Sequence, residues 1–140
     1  MIVNPAYAFY AKKEPLPDFN LWAGGVVNVP YTVNNAKWLP GSNQFYIYGG
    51  GYAEFTVNAK GYSKFRIRAG AASSFGSSIN INFYNSTGSL ISAVSQEVAP
   101  NSGSYTIDIP NDARIRDVKI RILNPSSGVT VMMSGATLQE

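Results

Sequence analysis

Four stretches of the chain alternate apolar and polar residues with a period of two. They cover residues 52–57, 63–69, 78–84 and 117–122. This period places apolar side chains on one face of a β-strand and polar side chains on the other. The apolar positions are Ala53, Phe55, Val57, Phe65, Ile67, Ala69, Ile79, Ile81, Phe83, Val118, Ile120 and Ile122. The pattern predicts sheets that are buried on one face and solvated on the other.

Turn-forming residues separate these stretches, at 58–61, 85–88, 100–103 and 124–128. Residues 58–61 are expected to join the first two stretches as neighbouring strands. Further strands are expected near 44–48, 90–97, 104–109 and 129–139. Strand starts about 8–12 residues apart predict an all-β chain, an antiparallel β-sandwich of jelly-roll type with about eight to ten strands.

The length of 140 residues suits a single domain. The first part of the chain alternates less clearly and is rich in proline, at positions 5, 15, 17, 30 and 40. We therefore expect residues 1–40 to be an irregular N-terminal segment that wraps the sandwich or a neighbouring subunit. Residues 41–140 are expected to form the jelly roll. Trp22, followed by Gly24 and Gly25, is predicted to be a core or interface plug.

The chain contains neither cysteine nor histidine. Disulfides, thiol nucleophiles and the commonest general base and metal ligand are therefore excluded. The glycine triplet at 49–51 lacks the Lys-Ser/Thr that a phosphate-binding loop requires. Asp112 and Asp117 flank two arginines and offer few oxygens for calcium. We expect no enzymatic activity, no cofactor and no bound metal.

Charge and hydropathy limit the partners. The formal net charge is +3 and charged residues make up 14% of the chain, which is weak for a nucleic-acid-binding protein. The sequence has no run of about 18 apolar residues that would predict a membrane span. Its first residues lack the features of a signal peptide, which predicts synthesis in the cytoplasm without Sec-type export.

From about Tyr52 to Leu138 the chain resembles the galactose-binding-like jelly rolls, which include many carbohydrate-binding modules. The resemblance rests on residues 62–68, 83–91, 104–110 and 128–138. It implies a jelly roll whose relatives often bind glycans through loops or a concave face. It transfers no binding residue by motif.

A polar strand face is the first candidate ligand-binding site. Its members are Arg66, Arg68, Arg121, Asn80, Asn82 and Tyr84. Guanidinium and amide groups could hydrogen-bond sugar hydroxyls, with Tyr84 as a stacking platform. The favoured alternative is a solvated sheet face with weak ion pairs, in which Glu54 lies opposite Arg66 or Arg68.

An aromatic cluster is the second candidate, with Trp38 close to Tyr46 and Tyr48. The two tyrosines alternate with Phe45 and Ile47, so one of the two pairs must face away from the core. Exposed tyrosines could stack on sugar rings or anchor a protein interface. Equally, they could pack beneath the N-terminal segment.

Two functions fit this sequence. The first is a non-enzymatic virion or appendage protein of a bacteriophage: a capsid decoration, head fibre or tail adhesin. Its partners would be other structural subunits in a homo-oligomer or larger assembly, and its location the virion. The alternative is a free-standing carbohydrate-binding module at a cell surface or outside the cell, with a glycan as partner. Neither function predicts a nucleic-acid or membrane partner.

Overall fold

The computed structural model describes residues 14–140, and predictions for residues 1–13 lie outside this part of the chain. The described residues form eleven β-strands and one short 3-10 helix, Asn111–Arg114. The strands are β1 (Phe19–Asn20), β2 (Trp22–Ala23), β3 (Val26–Val27), β4 (Tyr31–Leu39), β5 (Gln44–Asn58), β6 (Lys64–Ala71), β7 (Ser77–Tyr84), β8 (Leu90–Val98), β9 (Gly103–Asp108), β10 (Asp117–Leu123) and β11 (Val131–Gln139). Within residues 14–140 no helix has the length and apolarity needed to cross a membrane.

The long strand β5 takes part in two layers. Its second half, residues 52–58, pairs with β10, and its first half, residues 45–47, pairs with β11. The front sheet therefore has the order β8–β7–β10–β5–β4, and the back sheet has the order β9–β6–β11–β5–β4. All these pairings are antiparallel, and β1 adds to β11 in the back sheet. The antiparallel jelly-roll sandwich predicted from the alternation is confirmed.

The core lies between the inner faces of the two sheets. All twelve apolar positions of the alternating stretches are buried, as predicted. Phe65 of the back sheet meets Phe83 of the front sheet with ring centroids 6.4 Å apart, and Phe45 meets Phe55 at 5.2 Å. Burial of each large side chain contributes about 1.5–3 kcal/mol. The outer faces of the two sheets consequently point in opposite directions.

A glycine bend lets β5 pass from one layer to the other. Gly50 has a positive φ of 79°, and its amide donates to the Asn124 carbonyl at 2.7 Å. A Cβ on Gly51 would lie 2.1 Å from the Asn35 carbonyl oxygen, and one on Gly49 would lie 2.4 Å from the Ser126 carbonyl oxygen. Glycine is required at both positions because these neighbours are backbone atoms.

The buried side chain of Asn124 ties this bend to the loop between β10 and β11. Its Nδ2 donates to the carbonyl oxygens of Ile47, at 2.9 Å, and Val129, at 2.6 Å. Its Oδ1 accepts from the Ser126 amide at 3.1 Å. The side chain thus supplies hydrogen bonds to three backbone groups at this bend.

Residues 14–40 are more regular than the sequence indicated. Residues 31–39, assigned above to an irregular segment, form a nine-residue strand paired with β5. The alternation of β4 is broken because a bulge at Asn35, with φ of 44°, shifts its register. Trp22 is 2% exposed and stacks near Phe55, so its predicted core position is confirmed. Wrapping of a neighbouring subunit by residues 1–40 stays a prediction.

The predicted pairing of residues 52–57 with 63–69 is wrong. The turn at 58–61 carries the chain from the front sheet to the back sheet, so β6 lies beside β11 and β9. Glu54 consequently faces Arg121 of β10, and neither Arg66 nor Arg68. Alternation determines which face of a strand is buried but leaves its neighbours undetermined.

Candidate functional site

The outward side chains of the front sheet form a polar and aromatic surface, called here the front face. Its central part comprises Thr32, Asn34, Tyr52, Glu54, Thr56, Asn80, Asn82, Tyr84, Ala93, Ser95, Lys119, Arg121 and Leu123. Its central row runs across five strands, because each of these side chains lies beside the next in the register. The row is Thr32, Glu54, Arg121, Asn82 and Ala93. Such cross-strand neighbours have Cβ atoms about 4.5–5.5 Å apart and act together.

Arg121 occupies the centre of the front face. Its Nε lies 2.7 Å from Oε2 of Glu54, and the two side chains are 33% and 13% exposed. Its guanidinium carbon also lies 4.1 Å from the Tyr52 ring centroid and 5.4 Å from that of Tyr84. These distances place the cation between two aromatic rings, in the range of cation–π attraction.

The surroundings of Arg121 favour its protonated, positively charged form. Burial by itself lowers the pKa of Arg121, but the hydrogen bond and negative charge of Glu54 outweigh this effect, with further help from Tyr84 and Tyr52. The pKa therefore lies above its ordinary value, and the guanidinium remains charged at every physiological pH. The ion pair also fixes the rotamer of Arg121, so its remaining N–H donors point in set directions.

Asn82 and Tyr84 form a polar pair beside Arg121. Asn82 Nδ2 lies 3.5 Å from the Tyr84 hydroxyl, at the outer limit of hydrogen bonding. Asn82 Oδ1 is buried and accepts no hydrogen bond among the described residues. Turning the amide over would bring this oxygen towards the hydroxyl, which can donate. Asn80 and Asn34 add two further amides at the next row of the face.

The front face is suited to binding and poorly suited to acid–base chemistry. Its rings, amides and guanidinium supply apolar surface together with hydrogen-bond donors and acceptors. Glu54 is the carboxylate at its centre, and this group is engaged by Arg121. In residues 14–140 no three Asp, Glu, His or Cys side chains come together as potential metal ligands.

Four of the predicted site residues lie together on the front face: Asn80, Asn82, Tyr84 and Arg121. Four others lie on the outer face of the back sheet, pointing the opposite way: Tyr46, Tyr48, Arg66 and Arg68. The predicted grouping of all the arginines with the asparagines is therefore wrong. The cause is the strand order, which separates β6 from β7 and β10.

Trp38 is partly buried and packs against the core, whereas the sequence grouped it with Tyr46 and Tyr48 as a binding residue. It lies opposite Phe45 in the register and packs on that ring with centroids 4.8 Å apart. It also meets Trp22 edge-on at 6.2 Å. The bulge at Asn35 turns Trp38 inward, a shift that periodicity does not reveal.

Tyr52 and Glu54 are the front-face residues that sequence reasoning missed as partners of Arg121. Both share the outward parity of the first alternating stretch, so their exposure was predictable. The missing information was the identity of the strand beside them, β10. Thr32 and Asn34 are not recognisable from the sequence, because the bulge at Asn35 interrupts the alternation of residues 31–39.

No protein-family model matches the chain, and no curated protein matches it. Solved structures with the same fold do. A mutant family 29 carbohydrate-binding module complexed with cellulohexaose matches with TM-score 0.66 and 12% identity, over 87% of this chain and 89% of the module. A family 4 carbohydrate-binding module matches with TM-score 0.54 and 14% identity, over 88% of this chain and 86% of the module.

A family two carbohydrate esterase from Cellvibrio japonicus matches with TM-score 0.64 and 12% identity, over 88% of this chain. The match spans only 33% of the esterase chain. At these identities the likeness concerns the fold. The chain has the jelly-roll β-sandwich architecture of carbohydrate-binding modules.

Proposed function

We propose that this chain is a non-catalytic glycan-binding module and that the front face is its binding surface. The observation that carries the proposal is the arrangement of Arg121, fixed by Glu54 and flanked by Tyr52 and Tyr84. The structural neighbours support this function, the alternative in the sequence analysis, better than a virion role. Their ligands include cellulohexaose and mannohexaose, both uncharged oligosaccharides.

The aromatic rings would supply the apolar part of the contact. A pyranose ring has a face of C–H groups that packs on an aromatic ring, and tyrosine adds a hydroxyl at the ring's edge. Tyr52 and Tyr84 lie on opposite sides of Arg121, two strands apart, because β10 runs between β5 and β7. A linear glycan crossing the strands obliquely would meet both rings.

The polar groups would select hydroxyl positions. Amides of Asn34, Asn80 and Asn82 provide both donors and acceptors, as sugar hydroxyls require, and Arg121 provides further donors. Because Glu54 already holds the guanidinium, little side-chain entropy is lost when a ligand binds it. The charges of Arg121 and Glu54 cancel at the centre of the face, which favours an uncharged glycan.

Glycoside hydrolysis is not part of the proposal. That chemistry needs two carboxyl groups about 5–9.5 Å apart across a sugar bond, one of them free to act as an acid. The central carboxylate of the front face, Glu54, is paired with Arg121.

A glycan-binding role fits a location at a cell surface or outside the cell.

An assembly role in a virion or appendage is the second candidate. It is favoured by apolar side chains exposed near the edge strand β4: Val26, Tyr31 and Val33. Edge strands with such side chains can pair with another subunit. Light scattering distinguishes the two roles, since assembly requires a defined oligomer and glycan binding by the front face of one chain does not.

The glycan-binding proposal is tested by calorimetry on ligands first identified from an array that includes cellulohexaose and mannohexaose. We expect saturable binding by the native chain. Tyr52→Ala and Tyr84→Ala should each weaken it about tenfold or more, because each removes one stacking platform worth about 1.5 kcal/mol.

Tyr46→Ala is the matched control, since it removes a partly exposed tyrosine from the opposite face. Its affinity should equal that of the native chain. The proposal fails if no array glycan is retained, or if Tyr46→Ala costs as much affinity as the two front-face variants.

A further inference from the structure

The outer face of the back sheet carries a second set of charged groups, unlike those of the front face. Its cations are Lys37 on β4 and Lys64, Arg66 and Arg68 on β6. All four are exposed. Arg66 and Arg68 follow each other on the same face of one strand, about 6.7 Å apart along it.

Acidic groups are confined to one end of this face. Asp108 is paired with Lys64, whose hydrogen bond and charge lower the pKa of the Asp108 carboxyl. Asp18 accepts a hydrogen bond from Gln139 at the same end. Within residues 14–140, which contain every acidic residue of the chain, no ion pair includes Lys37, Arg66 or Arg68.

The cross-strand neighbours of the two arginines are small and mostly hydroxylic. Arg66 lies between Thr106 of β9 and Thr137 of β11, and Arg68 lies between Ser104 and Gly135. None of these side chains competes for the guanidinium as an anion would. The two planar forks are thus free to take an oxyanion in a bidentate contact, which arginine geometry favours over lysine.

Lys37 lies on the same face as Arg66 and Arg68 but on a strand further across the sheet. Lys37 lies opposite Tyr46 of β5, and Tyr46 lies opposite Met132 of β11. Met132 in turn lies opposite Gly70 of β6, the strand that carries both arginines. Three strand spacings separate Lys37 from that strand, a distance of about 14 Å. A ligand that meets all three cations must therefore be extended and carry anionic groups at intervals.

We infer that the outer face of the back sheet, called here the back face, is a second binding surface, specific for an acidic polysaccharide through Arg66, Arg68 and Lys37. The recognised chemistry is a carboxylate or sulfate group on a sugar chain. Three unpaired cations beside serine, threonine and tyrosine hydroxyls suit such a chain. They are too few for nucleic acid, whose affinity depends on many phosphate contacts and whose binding proteins are more basic than a net charge of +3.

The test measures binding of the full chain to polygalacturonate, heparin, uncharged mannan and single-stranded DNA at two salt concentrations. Polygalacturonate supplies carboxylates and heparin supplies sulfates, so the two separate the possible anionic groups. We expect binding to at least one of them, weakening between about 0.05 and 0.2 M salt as charges are screened. Any binding of the uncharged mannan should not be altered by substitutions on the back face.

The decisive variant is Arg66→Gln with Arg68→Gln, which should weaken acidic-glycan binding about tenfold or more. Lys60→Gln with Arg116→Gln is the matched control, because it removes the same charge from exposed sites outside the residues of both faces. Arg66→Lys with Arg68→Lys keeps the charge and loses the planar forks, so an intermediate affinity is expected. Each of these variants is first checked by thermal unfolding, and all are expected to melt close to the native chain.

Equal losses in the glutamine variant and its control would overturn the inference, since net charge alone would then explain binding. Tighter binding of DNA than of either acidic glycan would overturn it in favour of a nucleic-acid surface. Absence of binding to both acidic glycans at low salt would also overturn it. None of these results bears on the front face, whose ligand is uncharged.

Discussion

Replacing Gly51 with alanine is expected to lower the free energy of unfolding by about 3 kcal/mol or more. The added Cβ would lie 2.1 Å from the Asn35 carbonyl oxygen and 2.7 Å from that of Asn34. Both atoms belong to the backbone of β4 at its bulge, so no side-chain movement relieves the contact. The backbones of β5 and β4 would have to move apart at this point, which would disturb both the bend and the pairing of the two strands. Chemical denaturation monitored by tryptophan fluorescence measures the effect.

Gly41→Ala is the control for this substitution. Gly41 has open space around its Cβ position and no positive φ. Its replacement should change stability by no more than about 0.5 kcal/mol. If Gly51→Ala unfolded at the same denaturant concentration as the native chain, the close approach of β4 and β5 would be incorrect.

Replacing Asn124 with alanine is expected to cost about 2–4 kcal/mol, as the sum of several hydrogen bonds lost at a buried site. The side chain is fully buried and bonds the Ile47 and Val129 carbonyls and the Ser126 amide. Alanine removes all three hydrogen bonds, and the bond to the Ile47 carbonyl is lost at a buried position. Denaturation measures the loss, and Asn101→Ala is a control at an exposed asparagine.

Asn124→Asp separates the contribution of hydrogen bonding to stability from that of packing. Aspartate has nearly the shape of asparagine but lacks both amide N–H donors. Burial disfavours the charged carboxylate, so the pKa of the new group should lie higher in the folded chain than in the unfolded chain. The folded state then binds more protons between the two pKa values. Stability should therefore rise as pH falls through the folded pKa. A destabilisation independent of pH would contradict this account of Asn124.

Much of the fold was predictable from local pattern. Alternation identified the buried faces of residues 52–57, 63–69, 78–84 and 117–122, because burial on one side of a sheet imposes a period of two. Strand order was not predictable in the same way, since any two amphipathic strands can pair. The error at Glu54 follows from this, because its true partner Arg121 is 67 residues away.

The candidate site was predictable in part for the same reason. Asn80, Asn82 and Tyr84 share one strand, so their common face followed from periodicity, and Arg121 had the correct parity. Tyr52 was not joined to them because that step requires β10 between β5 and β7. Trp38 was misplaced because the bulge at Asn35 reverses the parity of β4 partway along it.

A titration of the isotopically labelled native chain with its tightest uncharged array glycan, followed by backbone amide shifts, tests the central claim most directly. We expect the largest shift changes on the front-face strands, at residues 52–56, 80–84 and 119–123. Residues 64–68 on the back face and the fully exposed Phe75 should change little. The largest changes at residues 64–68 or around Phe75, with the front face unaffected, would contradict it.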